Sequence, residues 1–474
     1  MTSIKFGTDG WRAIIADQFT FDNVKIVIQA IADYIKAQEQ EQRGLVIGYD
    51  TRFLAEEFAQ KAAEVLAANG IKVLLTSKAA PTPVTAFAIK SWKTAGAIMF
   101  TASHNPPEYN GVKFIPEYAG PASPEITRDL EVRISKVLEN REIMFMDYKL
   151  AVEKGLVVTV DPRPIYEKHL TSLINLKLLS ERPRKVGVDP MYGAGIGYVS
   201  TVLKQCGWEV TAIHEFRDPL FGGSLPEPKE DKLQELVAMV KQGKVELGLA
   251  NDGDADRFGV IDSDGTYISP NEVISLLLMH LVKNRKMKGD VVRTVATTHL
   301  IDAIAEKYGL KLHETPVGFK YVAEKMLQEQ VLIGGEESGG LSIYGHIPEK
   351  DGILANLLMA ELGATEEKTF GELLHQIRTE FGDFANMRID LHLSEDKKQR
   401  IMDKLSADPP QAIGVRQVVS QNLSDGVKLY FDDKSWVLFR PSGTEPLLRI
   451  YMEALGRPRL DDLANDINKY LDSY

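Results

Sequence analysis

Short apolar runs rich in valine and isoleucine recur along the chain, each followed by an amphipathic segment of helix length. That alternation predicts βαβ units around largely parallel sheets. In the first cycle, Leu45–Tyr49 (LVIGY) reads as a strand, 54–69 as a helix closed by Gly70, and 73–75 and 97–100 as two more strands. A second cycle opens with KVGVDP at Lys185, passes through a helix after Gly193 and reaches a strand at 247–250. A third runs from VVRTV at Val291 through a helix near 301–308 to VLIGG at Val331. From about Phe384 the pattern changes to strand-like stretches at 385–393, 427–431, 436–439 and 448–453, with a helix near each end.

The expected architecture is therefore α/β: three consecutive α/β domains with mixed or parallel sheets around a central cleft, plus a smaller C-terminal α+β domain. The expected divisions are 1–150, 151–265, 266–380 and 381–474. A chain of 474 residues exceeds what one core usually supports. Each cycle ends in an unusual polar loop, and in open α/β sheets ligands gather beyond the carboxyl ends of strands. Three such loops predict three domains facing one site.

The first loop lies in IMFTASHNPPEYNGVK, where an apolar run meets Ser103, His104, an amide and two prolines. Adjacent serine and histidine are poor geometry for a serine hydrolase, which takes nucleophile and base from distant segments. A serine ending a strand near a divalent cation can instead carry a phosphoryl group. The second loop, NDGDADRFG, places Asp252, Asp254 and Asp256 directly after a buried strand. Alternate residues of an extended segment point the same way, so three carboxylates are expected to converge. Oxygen ligands of this kind suit magnesium or manganese. An EF-hand does not fit, because Arg257 stands where its glycine is required. The third loop, GEESGG at 335–340, reads either as a sugar-binding carboxylate and hydroxyl set or as a tight turn between strands. RPSGTE at 440–445 has the parts of a phosphate cradle and also those of a simple Pro-Gly turn. The N-terminal FGTDGWR reads as a turn with a phosphate contact open to Arg12.

Charge and cysteine content narrow the classes. With 56 basic and 67 acidic residues the net charge is −11, which disfavours a nucleic-acid surface and requires that any anionic ligand meet positive charge locally. The single cysteine, Cys206, excludes an intrachain disulfide and a Cys-based zinc site, and reads as a small buried apolar residue. The opening MTSIKFGTDGW lacks the order of a signal peptide, and the longest apolar run, 274–282, is too short to cross a bilayer. A cytoplasmic protein without nucleic-acid or membrane partners is expected.

Taken in order, FGTDGWR, TASHNPPEYNGVK, NDGDADR, GEESGG and RPSGTEP resemble the motifs of the α-D-phosphohexomutase superfamily over essentially the full chain. GEESGG and TPVGFKY (315–321) look closest to its phosphoglucomutase branch. The resemblance implies four domains around one cleft and a phosphorylated serine at Ser103. That phosphoserine, with Asp252, Asp254 and Asp256, would hold Mg2+. It implies transfer of the phosphoryl group to a hexose phosphate through a hexose 1,6-bisphosphate, with glucose 1,6-bisphosphate as activator. Arg12, His104 and Lys113 match positions around the transferring phosphoryl, Lys113 as candidate general base, and Arg257 matches one near the serine phosphate. Glu336 and Ser338 match the sugar loop, Lys320 a substrate contact, and Arg440, Ser442, Gly443 and Thr444 the grip on the non-reacting phosphate.

Members with dual mannose and glucose activity often end the sugar loop in histidine, where this chain has Gly340. The expected reaction is thus interconversion of glucose 1-phosphate and glucose 6-phosphate. A hexose 1,6-bisphosphate synthase and a dual-specificity phosphomannomutase are the alternatives within the superfamily. Outside it stand an aspartyl-phosphate phosphatase using the DGD segment and a non-catalytic sugar-phosphate binding protein. Neither gives a role to every motif.

Overall fold

The computed structural model describes residues 4–7, 10–442 and 447–472. Among the described residues 21 strands form four sheets. The first sheet holds β1 (Trp11–Ile14), β2 (Leu45–Tyr49), β3 (Val73–Thr76), β4 (Gly96–Phe100), β5 (Tyr109–Pro116) and β6 (Val157–Val160) in the order β1-β5-β4-β2-β3-β6. The second holds β7 (Lys185–Asp189), β8 (Glu209–Ala212), β9 (Leu247–Asn251), β10 (Phe258–Ile261) and β11 (Tyr267–Ile268) in the order β11-β10-β9-β7-β8. In the third, β12 (Asp290–Thr294), β13 (Leu312–Thr315), β14 (Val331–Glu336) and β15 (Gly340–Ile343) follow the order β13-β12-β14-β15.

These three sheets share a design. Parallel strands make the body of each, and the strand that carries the polar loop is then paired with an antiparallel return: β4 with β5, β9 with β10, β14 with β15. The recurring chemistry loops are therefore the connections of three equivalent strand pairs. In the first pair, Met99 stands opposite Lys113, so Lys113 lies on a strand and not in the loop that precedes it. The first sheet also extends to Val160, past the expected division at residue 150, because β6 pairs in parallel with β3.

The fourth sheet is antiparallel throughout. It contains β16 (Phe384–His392), β17 (Ala412–Ile413), β18 (Arg416–Asn422), β19 (Val427–Phe431), β20 (Trp436–Pro441) and β21 (Leu447–Leu455) in the order β16-β21-β20-β19-β18-β17. Helices Glu395–Ala407 and Arg457–Asp472 pack their apolar faces on it. The α+β expectation holds, with two strands added. β18 escapes sequence reading because RQVVSQN lies mostly exposed near the sheet edge and lacks an apolar face.

One helix ties the second and third sheets together. Gly352–Glu366 (GILANLLMAELGATE) is apolar all round and buried along almost its whole length, as such a composition requires. Its residues join a core that runs unbroken through both blocks. Asp351 caps it by accepting the Leu354 N–H at 2.9 Å and also accepts the Tyr166 hydroxyl at 2.7 Å. Within the helix, Asn356 Nδ2 donates to the Ala250 carbonyl at 2.8 Å and so holds the end of β9. Cys206 lies in the same core. Among the described residues no helix is long and apolar enough to cross a membrane.

The fourth sheet meets the third at a buried polar joint. Lys428, fully buried, donates to the Val295 carbonyl at 2.7 Å and to His299 Nε2 at 2.9 Å, with Glu314 at 3.4 Å and the Trp436 ring 4.1 Å away. Burial, with Lys428 and Arg293 adding to it, drives His299 far below its ordinary range, so the ring is neutral and accepts. Beside it, Glu453 accepts from Trp436 Nε1 at 2.7 Å, Thr298 Oγ1 at 2.5 Å and the His299 N–H at 3.0 Å. Burial and Arg293 lower the Lys428 ammonium to about 8, against 10.5 in an unfolded chain. Between those values the unfolded chain holds a proton that the folded protein has released. The stability arising here is therefore complete above pH 10.5 and lost as pH falls through 8. Relative to Lys428→Met, the parent protein is expected to gain up to about 3 kcal/mol across that window, read by urea denaturation at several pH values.

Candidate active site

The reacting groups collect where the loops after β4 and β9 touch. Ser103 is buried, with its backbone in the left-handed region at φ 52°. That conformation is uncommon for a residue with a side chain and persists only where the surroundings impose it. Here the constraint is Arg52, which follows β2 and is completely buried. Its Nη2 donates to the carbonyls of Ser103 and Asn105, both at 2.7 Å, and its Nη1 to those of Pro106 at 2.7 Å and Tyr109 at 2.9 Å. Nε lies 3.2 Å from Asp50 Oδ2. One guanidinium thus ties down the whole Ser103–Tyr109 turn. The Ser103 N–H is held separately by Thr101 Oγ1 at 2.8 Å. Burial pushes the Asp50 carboxyl up to about 6, with Arg52 opposing.

Ser103 Oγ donates to Asp252 Oδ2 at 3.0 Å and lies 3.3 Å from His104 Nδ1. Asp252, Asp254 and Asp256 are all buried, and an oxygen from each lies within 4.8 Å of the others. The expected convergence is present, but its expected cause is not. The segment is a turn, with Ala255 at φ 56°, and not an extended run whose alternate residues share a face. A turn is needed because β10 must return antiparallel at once beside β9.

Two ammonium groups partly offset the triad. Lys113 Nζ lies 2.9 Å from Asp254 Oδ2 and 3.1 Å from Asp256 Oδ2, and Lys350 Nζ lies 3.1 Å from Asp256 Oδ2. Thr82 adds a hydroxyl donor to Asp254 Oδ2 at 2.6 Å. Burial would raise the Asp256 carboxyl, but Lys113, Lys350 and Arg257 outweigh it and hold the group far below its usual range. Asp252 behaves oppositely, carried well above that range by burial and then by Asp254 and Asp256. Oδ1 of Asp254 and Oδ1 of Asp256 are buried without a hydrogen-bond partner. Orphaned carboxylate oxygens beside an unneutralised third carboxyl are the donor set of a hard divalent cation, and the residues fit one.

The remaining motif residues divide into neighbouring groups. Arg12, on β1, donates from Nη1 to Asn105 Oδ1 at 2.8 Å. His104 is kept neutral by burial, with Arg257 and Arg12 adding to the effect. Arg257 donates its main-chain N–H to Asp252 Oδ1 at 3.0 Å, and its guanidinium lies 3.5 Å from Glu227. GEESGG forms the β14–β15 hairpin, with Glu336 opposite Gly340 and Ser338 Oγ donating to Glu336 at 2.7 Å. A side chain on Gly340 would collide with the Lys350 stem, so this glycine opens the route by which Lys350 reaches Asp256.

Arg440 belongs to an outer group. Asp425 accepts from its Nε at 2.8 Å and from the Val317 N–H at 2.9 Å, tying the fourth sheet to the loop before Lys320. The Lys320 ammonium lies 5.2 Å from the Tyr321 ring. Ser442 is buried just after β20, while Gly443 and Thr444 lie outside the described residues.

Arg52, Thr82 and Lys350 were not singled out by sequence reasoning. Asp-Thr-Arg directly after a fully apolar strand was the one available signal for Arg52, since a buried strand end seldom carries two charges.

Four sheets whose hairpin loops place a buried serine, a carboxylate triad and several cations together define a multidomain α/β protein built for an anionic ligand. Comparison with known proteins agrees. Phosphoglucomutase/phosphomannomutase family models for α/β/α domains I, II and III match residues 3–141, 164–265 and 269–381, and the C-terminal domain model matches 394–469. A phosphoglucomutase/phosphomannomutase from Thermococcus kodakarensis is 30% identical over 95% of this chain and 94% of its own. A phosphoglucosamine/phosphogalactosamine mutase from Sulfurisphaera tokodaii is 29% identical over 98% and 99%. The crystal structure of a Thermus thermophilus protein described as a phosphomannomutase superposes with a TM-score of 0.85 at 33% identity, covering all of both chains. The chain belongs to the phosphoglucomutase/phosphomannomutase family of the α-D-phosphohexomutase superfamily, and it is an enzyme of mutase type.

Arg52 generates the first test at this site. Arg52→Lys keeps a charge beside Asp50 but offers three donors in place of five, so the Ser103 turn loosens. Stability should fall by about 2 to 4 kcal/mol in thermal or urea unfolding. In a mutase assay kcat should fall about 10- to 100-fold with a much smaller change in KM if Ser103 reacts, because Arg52 holds the Ser103 turn and not the β14–β15 hairpin.

Proposed function

We infer that the protein interconverts glucose 1-phosphate and glucose 6-phosphate, with Ser103 Oγ as the carrier of the phosphoryl group. The observation that carries this reading is the buried Ser103 Oγ at 3.0 Å from Asp252, inside a carboxylate triad whose charge is only partly offset. A hydroxyl there serves poorly in acyl transfer, since neutral His104 is its sequence neighbour at 3.3 Å. It is well placed for phosphoryl transfer, where positioning and charge neutralisation supply most of the catalysis.

The chemistry proceeds in two mirrored transfers. With Ser103 phosphorylated, the free hydroxyl of a bound glucose phosphate attacks phosphorus. A new P–O bond forms as the bond to Ser103 Oγ breaks, the hydroxyl proton passes to a basic group, and Ser103 Oγ takes up a proton in turn to leave as the free hydroxyl. The resulting 1,6-bisphosphate turns over in the cleft and its other phosphoryl returns to Ser103. Arg12, Arg257 and His104 stand around the loop on which transfer occurs. Lys113 is paired with two carboxylates and serves first as a cation; it becomes a base only when those carboxylates are otherwise neutralised. Mg2+ held by Asp252, Asp254 and Asp256 would supply that neutralisation at the transferring group. Glu336 and Ser338 would accept and donate to the sugar hydroxyls. Arg440, Ser442, Gly443 and Thr444 would grip the distal phosphate, with Lys320 just beyond the Val317 loop that Asp425 ties to Arg440. Glucose is favoured over mannose because position 340 bears no side chain and its space is filled by Lys350.

Phosphorus NMR of glucose 1-phosphate with Mg2+ tests the reading. Conversion to the 6-phosphate, accelerated by a trace of glucose 1,6-bisphosphate and at least tenfold faster than mannose 1-phosphate, is the expected outcome. Release of inorganic phosphate would overturn it in favour of a phosphatase. Accumulation of bisphosphate from fructose 1,6-bisphosphate as donor, without mutase turnover, would make the protein a bisphosphate synthase. In the same assay, Ser103→Ala and chelation by EDTA should each lower the rate by about 1,000-fold or more, with Mg2+ restoring only the chelated sample.

A further inference from the structure

The catalytic loops do not use all of the strand ends that this fold gathers. β2, β3 and β6 are parallel neighbours, and the residues that follow them, together with those after β7 and β8, enclose a cavity of about 420 Å3 between the first and second sheets. Crevices beyond the carboxyl ends of parallel strands, at the junction of two blocks, are where α/β proteins bind small molecules, and this volume falls within the range of such sites.

The lining has a definite chemistry. Lys78, after β3, and Arg217, after β8, bring ammonium and guanidinium groups from opposite walls. Arg217 makes one long contact, from Nε to the Thr51 carbonyl at 3.4 Å. Glu56 and Asp161 supply carboxylates, and Tyr198 an aromatic wall. Thr51 lines the cavity at 2% exposure, and its Oγ1 has no hydrogen-bond partner. A buried, unsatisfied hydroxyl is costly unless something completes it. Burial and Glu56 push the neighbouring Tyr49 phenol up to about 12, so it stays a neutral donor at physiological pH.

The cavity also backs directly onto the metal-binding loop. Ala194 donates its N–H to the Gly253 carbonyl at 2.9 Å, and Thr82, two residues after Ala80 of the lining, donates its N–H to the Asp254 carbonyl at 3.0 Å. Gly193 lies so close that a Cβ would come within 2.7 Å of the Gly253 oxygen. The wall between cavity and carboxylate triad is one residue thick.

We propose that this cavity is a second binding site, separate from the catalytic cleft, for a small phosphorylated and hydroxylated molecule, and that its occupancy biases the Asp252–Asp256 loop. Lys78 and Arg217 suit one phosphate, the third lining cation, Arg163, being held by Glu167 at 2.6 Å and the Gly197 carbonyl at 2.7 Å, and two carboxylates with a free hydroxyl suit a polyol. Calorimetry with glucose 6-phosphate as the probe, on Ser103→Ala protein to prevent turnover, tests it. Two sites per chain are expected. Adding Lys78→Glu with Arg217→Glu should remove one site or weaken it at least tenfold, and inorganic phosphate should compete for the same one. In a chain with Ser103 intact the double substitution should leave turnover at low substrate within about twofold, which also reports correct folding. Should it not fold, Ser77→Trp at the cavity mouth is the second probe. Equal site numbers with and without these substitutions would overturn the proposal. One site in the parent and none in the variant would uphold the cavity while removing glucose 6-phosphate as a ligand of the catalytic cleft.

Discussion

The constraint on which this structure turns is the burial of like charge. Asp252, Asp254 and Asp256 are each almost wholly excluded from water within a small volume, and Asp50, also buried, lies close enough to feel the charge of Asp254. Such a group of carboxylates persists only if cations arrive from elsewhere in the chain. Each cation comes from a different strand or loop: Arg52 after β2, Lys113 on β5, Lys350 after β15. The first, second and third sheets are therefore held in register by one electrostatic requirement. The apolar helix Gly352–Glu366 reinforces this, since its Asn356 grips the end of β9 while Asp351, its cap, reaches Tyr166. Packing brings the sheets together, and the charge cluster sets their relative position to hydrogen-bond accuracy.

What sequence reasoning recovers, and what it does not, follows from range. Ser103, His104 and the three aspartates are legible because each loop contains its own chemistry within a few residues and opens straight from an apolar strand. The role of Lys350 is not legible, because its partner lies about a hundred residues away, and for Arg52 the sequence shows only the local Asp50 pair while the turn it holds lies about fifty residues on. The convergence of Asp252, Asp254 and Asp256 was foreseen with the wrong geometry. Alternation along a strand and a tight turn both gather every second residue, and nothing local separates them. The apolar rhythm shows the parallel strands that open and close each cycle, but not the antiparallel returns β5, β10 and β15, the short or half-exposed strands β1, β8, β11, β13, β17 and β18, or β6, which joins a sheet whose other strands end forty residues earlier.

The fourth sheet is attached by a different principle. Its contacts with the third include a compact polar joint built on Lys428 and Glu453, flanked by Trp436, with every donor and acceptor near partners. A joint of this kind is directional, and it sits beside a small apolar cluster in which Val295 and Ala296 pack against Trp436, Leu438 and Tyr451. Arg440 meanwhile is tied to Asp425, which also binds Val317. A ligand phosphate reaching Arg440 would compete with Asp425 for the guanidinium, and would thereby loosen one link between the two sheets while creating another through itself. Closure of a cleft over a substrate needs such an exchange, because a lid held shut without ligand would also keep the ligand out.

Net charge adds the last step. A surface carrying −11 repels phosphate esters at a distance, while Arg12, Lys113, Arg257, Lys350 and Arg440 gather positive charge about the cleft. At physiological ionic strength the repulsion is screened beyond about 8 Å, so it hardly slows approach, while the buried cations act at short range in a medium of low dielectric. That separation of scales suits binding of phosphate esters. On the function inferred above, a bisphosphate inside the cleft would meet a cation at either end, so one phosphate could be held while the other is exchanged.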